Sequence, residues 1–198
     1  MAEKPVDQII LASESPFRKQ LLEQIGLPFE AVPPLSDENK EKNNFYGLTP
    51  DLAGYLAKIK ADSLVARYPM AIIIGADQTL SFQGQILSKP HNTEQAKTRL
   101  LQLQGETHIL ITALAVYHQG KWYQNQVTAK MSMRRLNSKE VEHYIRLDNP
   151  VGCAGGYKIE CHGPLLFEKI ECEDFYSIIG IPLISLCNIL RKIGFSAL

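Results

Sequence analysis

The chain has 198 residues, of which 45% are hydrophobic, and this length and composition predict an ordinary globular protein with a full core rather than a disordered one. Lysine plus arginine and aspartate plus glutamate both number 21, so the formal net charge is zero. This balance does not favour bulk attraction to nucleic acid or to an acidic membrane, and no apolar run reaches the roughly 18–20 residues of a membrane span. We therefore expect neither as a partner, and an anionic ligand would need positive charge gathered locally.

Two features bear on the compartment. The polar segment Met1–Gln8 leads directly into the first predicted strand, which leaves no room for a signal peptide. The cysteines form no close pairs, which disfavours a zinc site and predicts reduced thiols and a cytoplasmic location. They are Cys153, Cys161, Cys172 and Cys187.

The first segment with chemical content is a strand that runs into a helix. Ile9–Ala12 is a continuous apolar run, typical of a strand covered on both faces. Ser15 then stands where an N-cap belongs, with Pro16 at the first helical position. A helix N-terminus favours anions, and Ser13, Ser15 and Arg18 stand beside this one, so the segment predicts a phosphate site. A purely structural strand, cap and helix remains the alternative.

Further along the chain, helix and strand patterns alternate. Gln119-Gly120-Lys121 joins two long strands as a hairpin, which demands antiparallel pairing. The order therefore predicts an α/β fold with a mixed sheet, flanking helices and two lobes around a central groove, in a single domain over residues 1–198. The predicted strands are Phe29–Val32, Met70–Ile74, short segments around Leu80 and Ile86, Thr107–His118, Trp122–Arg134 and Leu165–Ile170. The predicted helices run from Thr49 to about Tyr68, from Asn92 to Gly105, from Ser138 to Leu147 and from Pro182 to Gly194, and Pro33–Asn44 is predicted as a charged loop.

A second segment, Ile72–Thr79, places Asp77 where a buried strand is predicted to end. Ligands gather at the carboxyl ends of strands in α/β sheets. A turn at Gln83-Gly84 would bring Lys89 back near Asp77, and a carboxylate beside cations suits phosphoryl chemistry. The alternative is that Asp77 caps a turn and Lys89 is a solvated surface charge.

Four motifs in the right order resemble the Maf family of nucleotide pyrophosphatases. Its pattern L-A-S-x-S-P-x-R-x-x-L-L matches Leu11–Leu22, and its G-A-D motif matches Gly75–Asp77, followed by Lys89-Pro90. Its A-G-x-[YF] segment matches Ala154–Tyr157, and its G-[LI]-P-L segment matches Gly180–Leu183. The resemblance covers essentially the whole chain and implies the Maf/inosine triphosphatase-like fold.

The resemblance also implies an activity and its residues. The reaction is cleavage of the α–β phosphoanhydride of a nucleoside triphosphate, with Asp77 as the base that activates water. Ser13, Arg18 and Lys89 would hold phosphates. Mg²⁺ or Mn²⁺ would shield the triphosphate, with Asp77 and Glu38 as candidate ligands. The expected partner is a small nucleotide, and a homodimer is allowed by analogy with the family only.

Three positions resemble the branch of the family that hydrolyses 7-methyl-GTP. This branch has an aromatic residue, Gln and Glu where the chain has Phe17, Gln78 and Glu160, whereas relatives active on dTTP and UTP have Arg, Thr and Gln. The chemistry agrees, because methylation at N7 makes guanine cationic and a cation prefers an aromatic face. A carboxylate accepts from the N1–H and N2–H₂ edge of guanine, and Gln78 could donate to O6 or reach the ribose.

Other assignments remain open at this point. Core packing for Phe17 and a solvated strand position for Glu160 are the structural alternatives. Lys60, in an A-x-x-K-A pattern, would touch phosphate or lie on a solvated helix face, and Lys158 lies near the inferred pocket without a role. The functional alternatives are a dTTP or UTP pyrophosphatase of the same family and a nucleotide-binding regulator of cell division without turnover.

Overall fold

One mixed sheet of seven strands forms the centre of the computed structural model, which describes residues 8–195. The strands are β1 (Ile9–Ala12), β2 (Glu30–Val32), β3 (Ile72–Phe82), β4 (Gln85–Leu87), β5 (Thr107–His118), β6 (Lys121–Met133) and β7 (Phe167–Glu171). Their order is β2-β1-β3-β5-β6-β7, and β4 pairs with β3. The predicted absence of a signal peptide concerns residues 1–7, which lie outside the described part of the chain.

The sheet combines parallel and antiparallel pairs, as the predicted hairpin requires. β1 pairs in parallel with β2 and β3, whereas β3, β5 and β6 form a long antiparallel ribbon. The turn from β5 to β6 consists of Gln119 and Gly120, with φ of 48° and 78°. Positive φ at both turn residues matches the right-handed twist of the two strands, so the hairpin prediction is confirmed.

Helices cover both faces of the sheet. They are α1 (Pro16–Gln24), α2 (Glu38–Asn43), α3 (Leu52–Val65), α4 (Thr93–Leu103), α5 (Ser138–Asp148), α6 (Tyr176–Ile179) and α7 (Leu183–Lys192). The Ser15 side chain accepts a hydrogen bond from the Arg18 N–H, and Pro16 opens α1, as predicted. Among residues 8–195, no helix is long and apolar enough to cross a bilayer.

The position of Asp77 differs from the prediction. The strand predicted to end at Ile74 continues to Phe82, because β5 pairs with it from Ile73 to Ser81. Asp77 therefore lies in the middle of β3 rather than at its end. The parallel partner β1 pairs only as far as the Leu11–Ile74 register, so Asp77 still lies just beyond the carboxyl end of its neighbour. Asp77 therefore still lies on the side of the sheet where a ligand is expected.

Smaller differences concern helix and strand boundaries. The predicted loop Pro33–Asn44 contains α2, whose N-cap Asp37 accepts from two backbone N–H groups. Asn137 rather than Ser138 caps α5, because it forms a capping box with Glu140. The helix predicted from Thr49 begins as a 3₁₀ turn, Thr49–Asp51, and ends at Val65, and β7 begins at Phe167 after a 3₁₀ turn. The short helix α6 is an element that the sequence patterns did not indicate.

Two main groups of buried apolar side chains lie on either side of a groove. One group joins β1, α1, the first half of β3 and α7. The other joins the second half of β3 with α4, α5, β5 and β6. The groove between them is lined by α1 on one side and by residues 151–160 on the other, which confirms the two-lobed arrangement.

Gly75 allows α3 to lie directly on β3. A Cβ at Gly75 would come 2.2 Å from the Ala57 carbonyl oxygen and 2.9 Å from the Ala61 Cβ. We expect Gly75→Ala to lower the free energy of unfolding by about 2–3 kcal/mol, because α3 and β3 must move apart to make room for the added methyl group. Urea unfolding measures this value.

Gly54→Ala on the same helix is the matched control. The nearest atom to a Cβ there is the Gln126 side-chain oxygen at 3.7 Å, an ordinary contact. A helical Gly→Ala change without a clash stabilises by roughly 0.5–1 kcal/mol. Equal effects of the two substitutions would contradict the close approach at Gly75.

Candidate active site

Lys60 lies between two carboxylates at the centre of the site. Its Nζ is 2.5 Å from Asp77 Oδ1 and 2.5 Å from Glu38 Oε2. The side chains of Lys60 and Asp77 are 10% and 5% exposed, so this ion pair is shielded from water and is electrostatically strong. The alternative of a solvated helix face for Lys60 is therefore wrong. The ammonium joins α2, α3 and β3 at one point.

Glu38 stays ionised in this arrangement. Its second oxygen, Oε1, is 2.6 Å from the Lys42 Nζ one turn further along α2. Burial alone would raise the pKa of Glu38, but Lys60 and Lys42 outweigh it and lower the pKa from 4.5 to about 2. The carboxylate is thus an anion at the mouth of the groove, as a candidate metal ligand must be.

The N-terminus of α1 presents Ser13 and Arg18 together. The Ser13 Oγ accepts from the Ser15 N–H at 3.2 Å and from Arg18 Nη1 at 3.4 Å, and Arg18 Nε donates to the Gly180 carbonyl at 3.1 Å. Burial lowers the pKa of Arg18, while Asp77 and Glu38 act in the opposite direction. Within residues 8–195, Arg18 has no carboxylate at ion-pair distance, so its charge is available to an anion.

Lys89 stands at the junction of the two ends of the groove. It lines a space of about 370 Å³ together with Ser13, Arg18 and Lys60, and it also lines the space beyond it. Lys89 is exposed, yet its pKa is lowered. The main cause is loss of hydration beside neighbouring protein atoms, and the positive charge of Arg18 contributes in the same direction. Asp77 and Glu38 oppose this shift. The hairpin β3–β4 thus brings Lys89 near Asp77, as the turn signal predicted.

The other end of the groove, about 350 Å³, has different walls. Phe17 is half-buried and lines this space, so it is a groove residue rather than core packing. The Lys158 Nζ lies 5.8 Å from the Phe17 ring centroid, in a cation–π contact. Glu160 is exposed and lines the same space from residues 151–160, in a turn and not in a strand. An aromatic face and a carboxylate therefore share one cavity.

Gln78 lies at the floor of this cavity with its amide orientation set by three acceptors. Its Nε2 donates to the Thr112 hydroxyl at 3.0 Å and to the carbonyls of Ser177 and Ile178 at 2.8 and 3.0 Å. The Thr112 hydroxyl donates to the Ser177 carbonyl, so it can only accept from Gln78. The Gln78 Nε2 is thus already occupied by protein acceptors, which disfavours the expected donation from Gln78 to O6 of the guanine base. The Gln78 Oε1 is the amide atom that is left for a ligand.

A metal site made of protein ligands alone is not found in the described residues, where no three His, Cys, Asp or Glu side chains converge. Asp77 and Glu38 face one another across Lys60, which supplies the positive charge between them. Mg²⁺ in phosphate sites uses one or two carboxylates and completes its shell with phosphate oxygens and water. Glu38 lines the space beside Arg18 and Lys89, and Asp77 adjoins it through Lys60, so the two carboxylates fit this pattern.

The structure brings the predicted phosphate residues Ser13, Arg18 and Lys89 to one end of the groove, and the three predicted base contacts to the other. The residue that sequence reasoning undervalued is Lys60. Its spacing was a usable signal, because Lys60 lies four residues from both Leu56 and Leu64, on the apolar face of α3. A buried lysine on that face must either form an ion pair or have a pKa low enough for it to become neutral.

Comparison with known proteins agrees with this geometry. The family described as Maf-like protein matches residues 8–193. The chain belongs to the Maf family. Among its Maf relatives, a protein named 7-methyl-GTP pyrophosphatase from Bdellovibrio bacteriovorus is 46% identical over 189 residues, which cover 95% of this chain and 98% of the relative.

Two further relatives with the same name come from Hydrogenovibrio crunogenus and Syntrophotalea carbinolica. They are 38% and 36% identical, and the matches cover 93% and 94% of this chain and 92% and 94% of the relatives. In fold, the chain is similar to the Staphylococcus aureus Ham1 protein, with a TM-score of 0.52 and 12% identity over 95% of this chain and 100% of the other. This last likeness concerns the fold alone, and it agrees with the fold that the Maf motifs implied.

The ion pair at Lys60 leads to a stability prediction. We expect Lys60→Met to lower the free energy of unfolding by about 3 kcal/mol or more, because it leaves the buried Asp77 carboxylate unpaired. Lys42→Met removes an exposed partner of Glu38 and should cost less than about 1 kcal/mol. Urea unfolding at neutral pH compares the two, and similar losses would show that the Lys60 pair is energetically an ordinary surface contact.

Proposed function

We propose that residues 1–198 act as a single Maf-like catalytic domain that hydrolyses 7-methyl-GTP to 7-methyl-GMP and diphosphate. The observation that carries the proposal is one groove with two chemically different ends. Arg18, Lys60 and Lys89 supply positive charge at one end, and Phe17 and Glu160 supply an aromatic face and a carboxylate at the other. The three relatives named 7-methyl-GTP pyrophosphatase support the same substrate.

The cationic end suits a triphosphate. Arg18 has a planar guanidinium with unpaired donors, which binds phosphate oxygens in a fixed geometry. Lys89 lies where the two spaces meet, so it would contact the phosphate nearest the nucleoside. The Ser13 hydroxyl and the N-terminus of α1 add neutral donors and the helix dipole.

Asp77 is the proposed general base. Its Oδ1 is paired with the Lys60 ammonium, and its Oδ2 forms no hydrogen bond within residues 8–195. A water oxygen bonds to the α-phosphorus while its proton passes to Asp77, and the bond from that phosphorus to the oxygen bridging the β-phosphate breaks. Diphosphate leaves with the bridging oxygen, and Arg18 and Lys89 stabilise its charge.

The proposal includes a divalent cation, Mg²⁺ or Mn²⁺. Asp77 and Glu38 are the residues that would hold it, together with phosphate oxygens. When bound, such an ion neutralises charge that develops on the phosphates. Glu38 is ionised throughout the neutral range, since its pKa is lowered to about 2, so no proton competes with the ion for this ligand.

Base selection is assigned to Phe17, Gln78 and Glu160. The Phe17 ring already accepts one cation, Lys158, on its face, and the ring of 7-methylguanine carries a positive charge as well. Glu160 and the free Oε1 of Gln78 are both acceptors, which suits the N1–H and N2–H₂ donors of guanine. We propose that the protein acts in the cytoplasm and removes a modified nucleotide before it enters RNA.

The direct test measures diphosphate release from 7-methyl-GTP, GTP, UTP, dTTP and CTP with Mg²⁺. We expect release from 7-methyl-GTP above all others, and we expect Asp77→Asn to lower kcat by about 10²–10⁴-fold because a general base is lost. Circular dichroism of the variant checks that it folds. Release from UTP or dTTP instead would retain the mechanism and reject the proposed base, whereas tight binding without any product would favour a nucleotide-binding regulator.

Base selection has its own test. The double change Glu160→Gln with Gln78→Thr should shift the ratio of kcat/KM for UTP and 7-methyl-GTP by about tenfold or more toward UTP, since a lost charged hydrogen bond costs about 1.5–3 kcal/mol. The change Glu168→Gln, on the exposed strand β7, is the control and should leave the ratio unchanged. An unchanged ratio in the double variant would mean that these positions do not contact the base.

A further inference from the structure

Glu160 depends on its backbone for its position. It is exposed, it forms no hydrogen bond or ion pair with another residue in the described range, and it lies in a segment without helix or strand between Asn149 and His162. Such a segment would leave a groove side chain poorly placed unless other contacts fix it. The contacts around Glu160 therefore decide how well this wall of the groove is defined.

Two side chains of α5 hold the backbone on either side of Glu160. Tyr144 and Asp148 are four residues apart and lie on the same buried face of the helix. The Tyr144 hydroxyl accepts from the Lys158 N–H at 2.9 Å, and the Asp148 carboxylate accepts from the His162 N–H at 3.0 Å. Glu160 is two residues from each anchored position. We call Tyr144, Asp148 and His162 the α5 clamp.

The clamp is closed by a second contact and by a tight turn. Asp148 Oδ1 is also 2.5 Å from the His162 Nδ1, so one carboxylate holds both the backbone and the ring of the same residue. The N–H of Cys161, between the anchors, and the N–H of Gly163, just after the second anchor, both donate to the Lys158 carbonyl. The five residues from Lys158 to His162 thus form a turn attached to α5 at both ends.

The burial and protonation of Tyr144 and Asp148 favour the hydrogen bonds that they make to the Glu160 turn. The Asp148 side chain is 2% exposed, and a buried carboxylate is stable only when its oxygens are bonded. Burial raises the pKa of the Tyr144 hydroxyl, and the neighbouring Asp148 raises it further, although the Lys158 N–H acts in the opposite direction. Tyr144 is therefore neutral and keeps its hydroxyl as an acceptor for the Lys158 amide. Neither Tyr144 nor Asp148 lines the groove.

We propose that Tyr144 and Asp148 are positioning residues for base selection, which act on the base only through Glu160 and its turn. The proposal rests on the function proposed above for the groove. It separates two tasks in the molecule, since Arg18, Lys60 and Asp77 lie on α1, α3 and β3, with Ser13 before α1 and Lys89 after β4. Within residues 8–195, none of these side chains forms a hydrogen bond or ion pair with the clamp. Loss of the clamp should therefore weaken recognition of the base while the phosphoryl chemistry continues.

The kinetic test uses Asp148→Asn and Tyr144→Phe, which change one hydrogen-bonding function each and preserve shape. We expect KM for 7-methyl-GTP to rise about ten- to a hundredfold in Asp148→Asn, in proportion to one lost charged hydrogen bond, and kcat to change less than threefold. Turnover of UTP, measured at saturating concentration, should not change. The control is Glu142→Gln, the same carboxylate-to-amide change on the same helix, which breaks the ion pair with Lys97 and not the clamp.

A double-mutant cycle distinguishes action through Glu160 from a general loss of structure. In a Glu160→Ala background, Asp148→Asn should leave KM for 7-methyl-GTP unchanged, because the group that it positions is gone. Equal and additive effects in both backgrounds, or a fall in kcat on every nucleotide alike, would overturn the proposal. Thermal unfolding of each variant accompanies the kinetics.

One readout does not need nucleotide turnover. Exchange of the Lys158 and His162 amides with D₂O reports their hydrogen bonds directly. We expect at least tenfold faster exchange at Lys158 in Tyr144→Phe and at His162 in Asp148→Ala, with wild-type rates in Glu142→Gln. Ala is used at position 148 because Asn would retain an oxygen that accepts from the His162 N–H. Wild-type exchange in both clamp variants would overturn the clamp even in an active enzyme. Faster exchange in a protein that hydrolyses no nucleotide would instead confirm the clamp, and its proposed role in base selection would fall with the proposed function.

Discussion

The contact on which the site depends is the Lys60 ammonium between the carboxylates of Asp77 and Glu38. Three elements that are distant in sequence meet there, since Glu38 opens α2, Lys60 lies in α3 and Asp77 lies in β3. Two buried or half-buried carboxylates at one place repel each other unless a cation lies between them. The Lys60 ammonium offsets this repulsion, so the proposed base and a candidate metal ligand can share one end of the groove.

The surrounding elements place the other groups of the phosphate end around Lys60. The close approach of α3 to the glycine at position 75 brings Lys60 within reach of β3. The strand β1 ends at Ala12, the segment that follows contributes the hydroxyl of Ser13, and α1 contributes the guanidinium of Arg18. Arg18 reaches across to the carbonyl of Gly180, so the segment before α7 also helps to define the phosphate end.

The two ends of the groove are built by different means. The phosphate end is organised by the ion pairs that join α2, α3 and β3, to which Arg18 of α1 and two residues of connecting segments, Ser13 and Lys89, add donors. The base end depends on a turn whose hydrogen bonds run to α5, and on an amide, Gln78, that is oriented by the carbonyls of Ser177 and Ile178. With this division, the residues proposed to select the base can change without disturbing the charged centre.

Much of this could be predicted from the sequence, and the parts that could not have a common physical cause. Local patterns determined β1, the Ser15 cap, the α1 helix, the long hairpin and the association of Asp77 with Lys89, because each depends on neighbouring residues and on elementary preferences for strands, caps and turns. The motif order was sufficient to indicate the Maf family. Only the tertiary structure decided that β3 continues through Asp77, because that extension depends on pairing with β5, more than thirty residues away. The same holds for the burial of Lys60 between two acids, for the side of the Gln78 amide that faces the groove, and for the attachment of the Glu160 turn to α5. Each of these is a tertiary contact between different elements, and no local pattern specifies which elements come together.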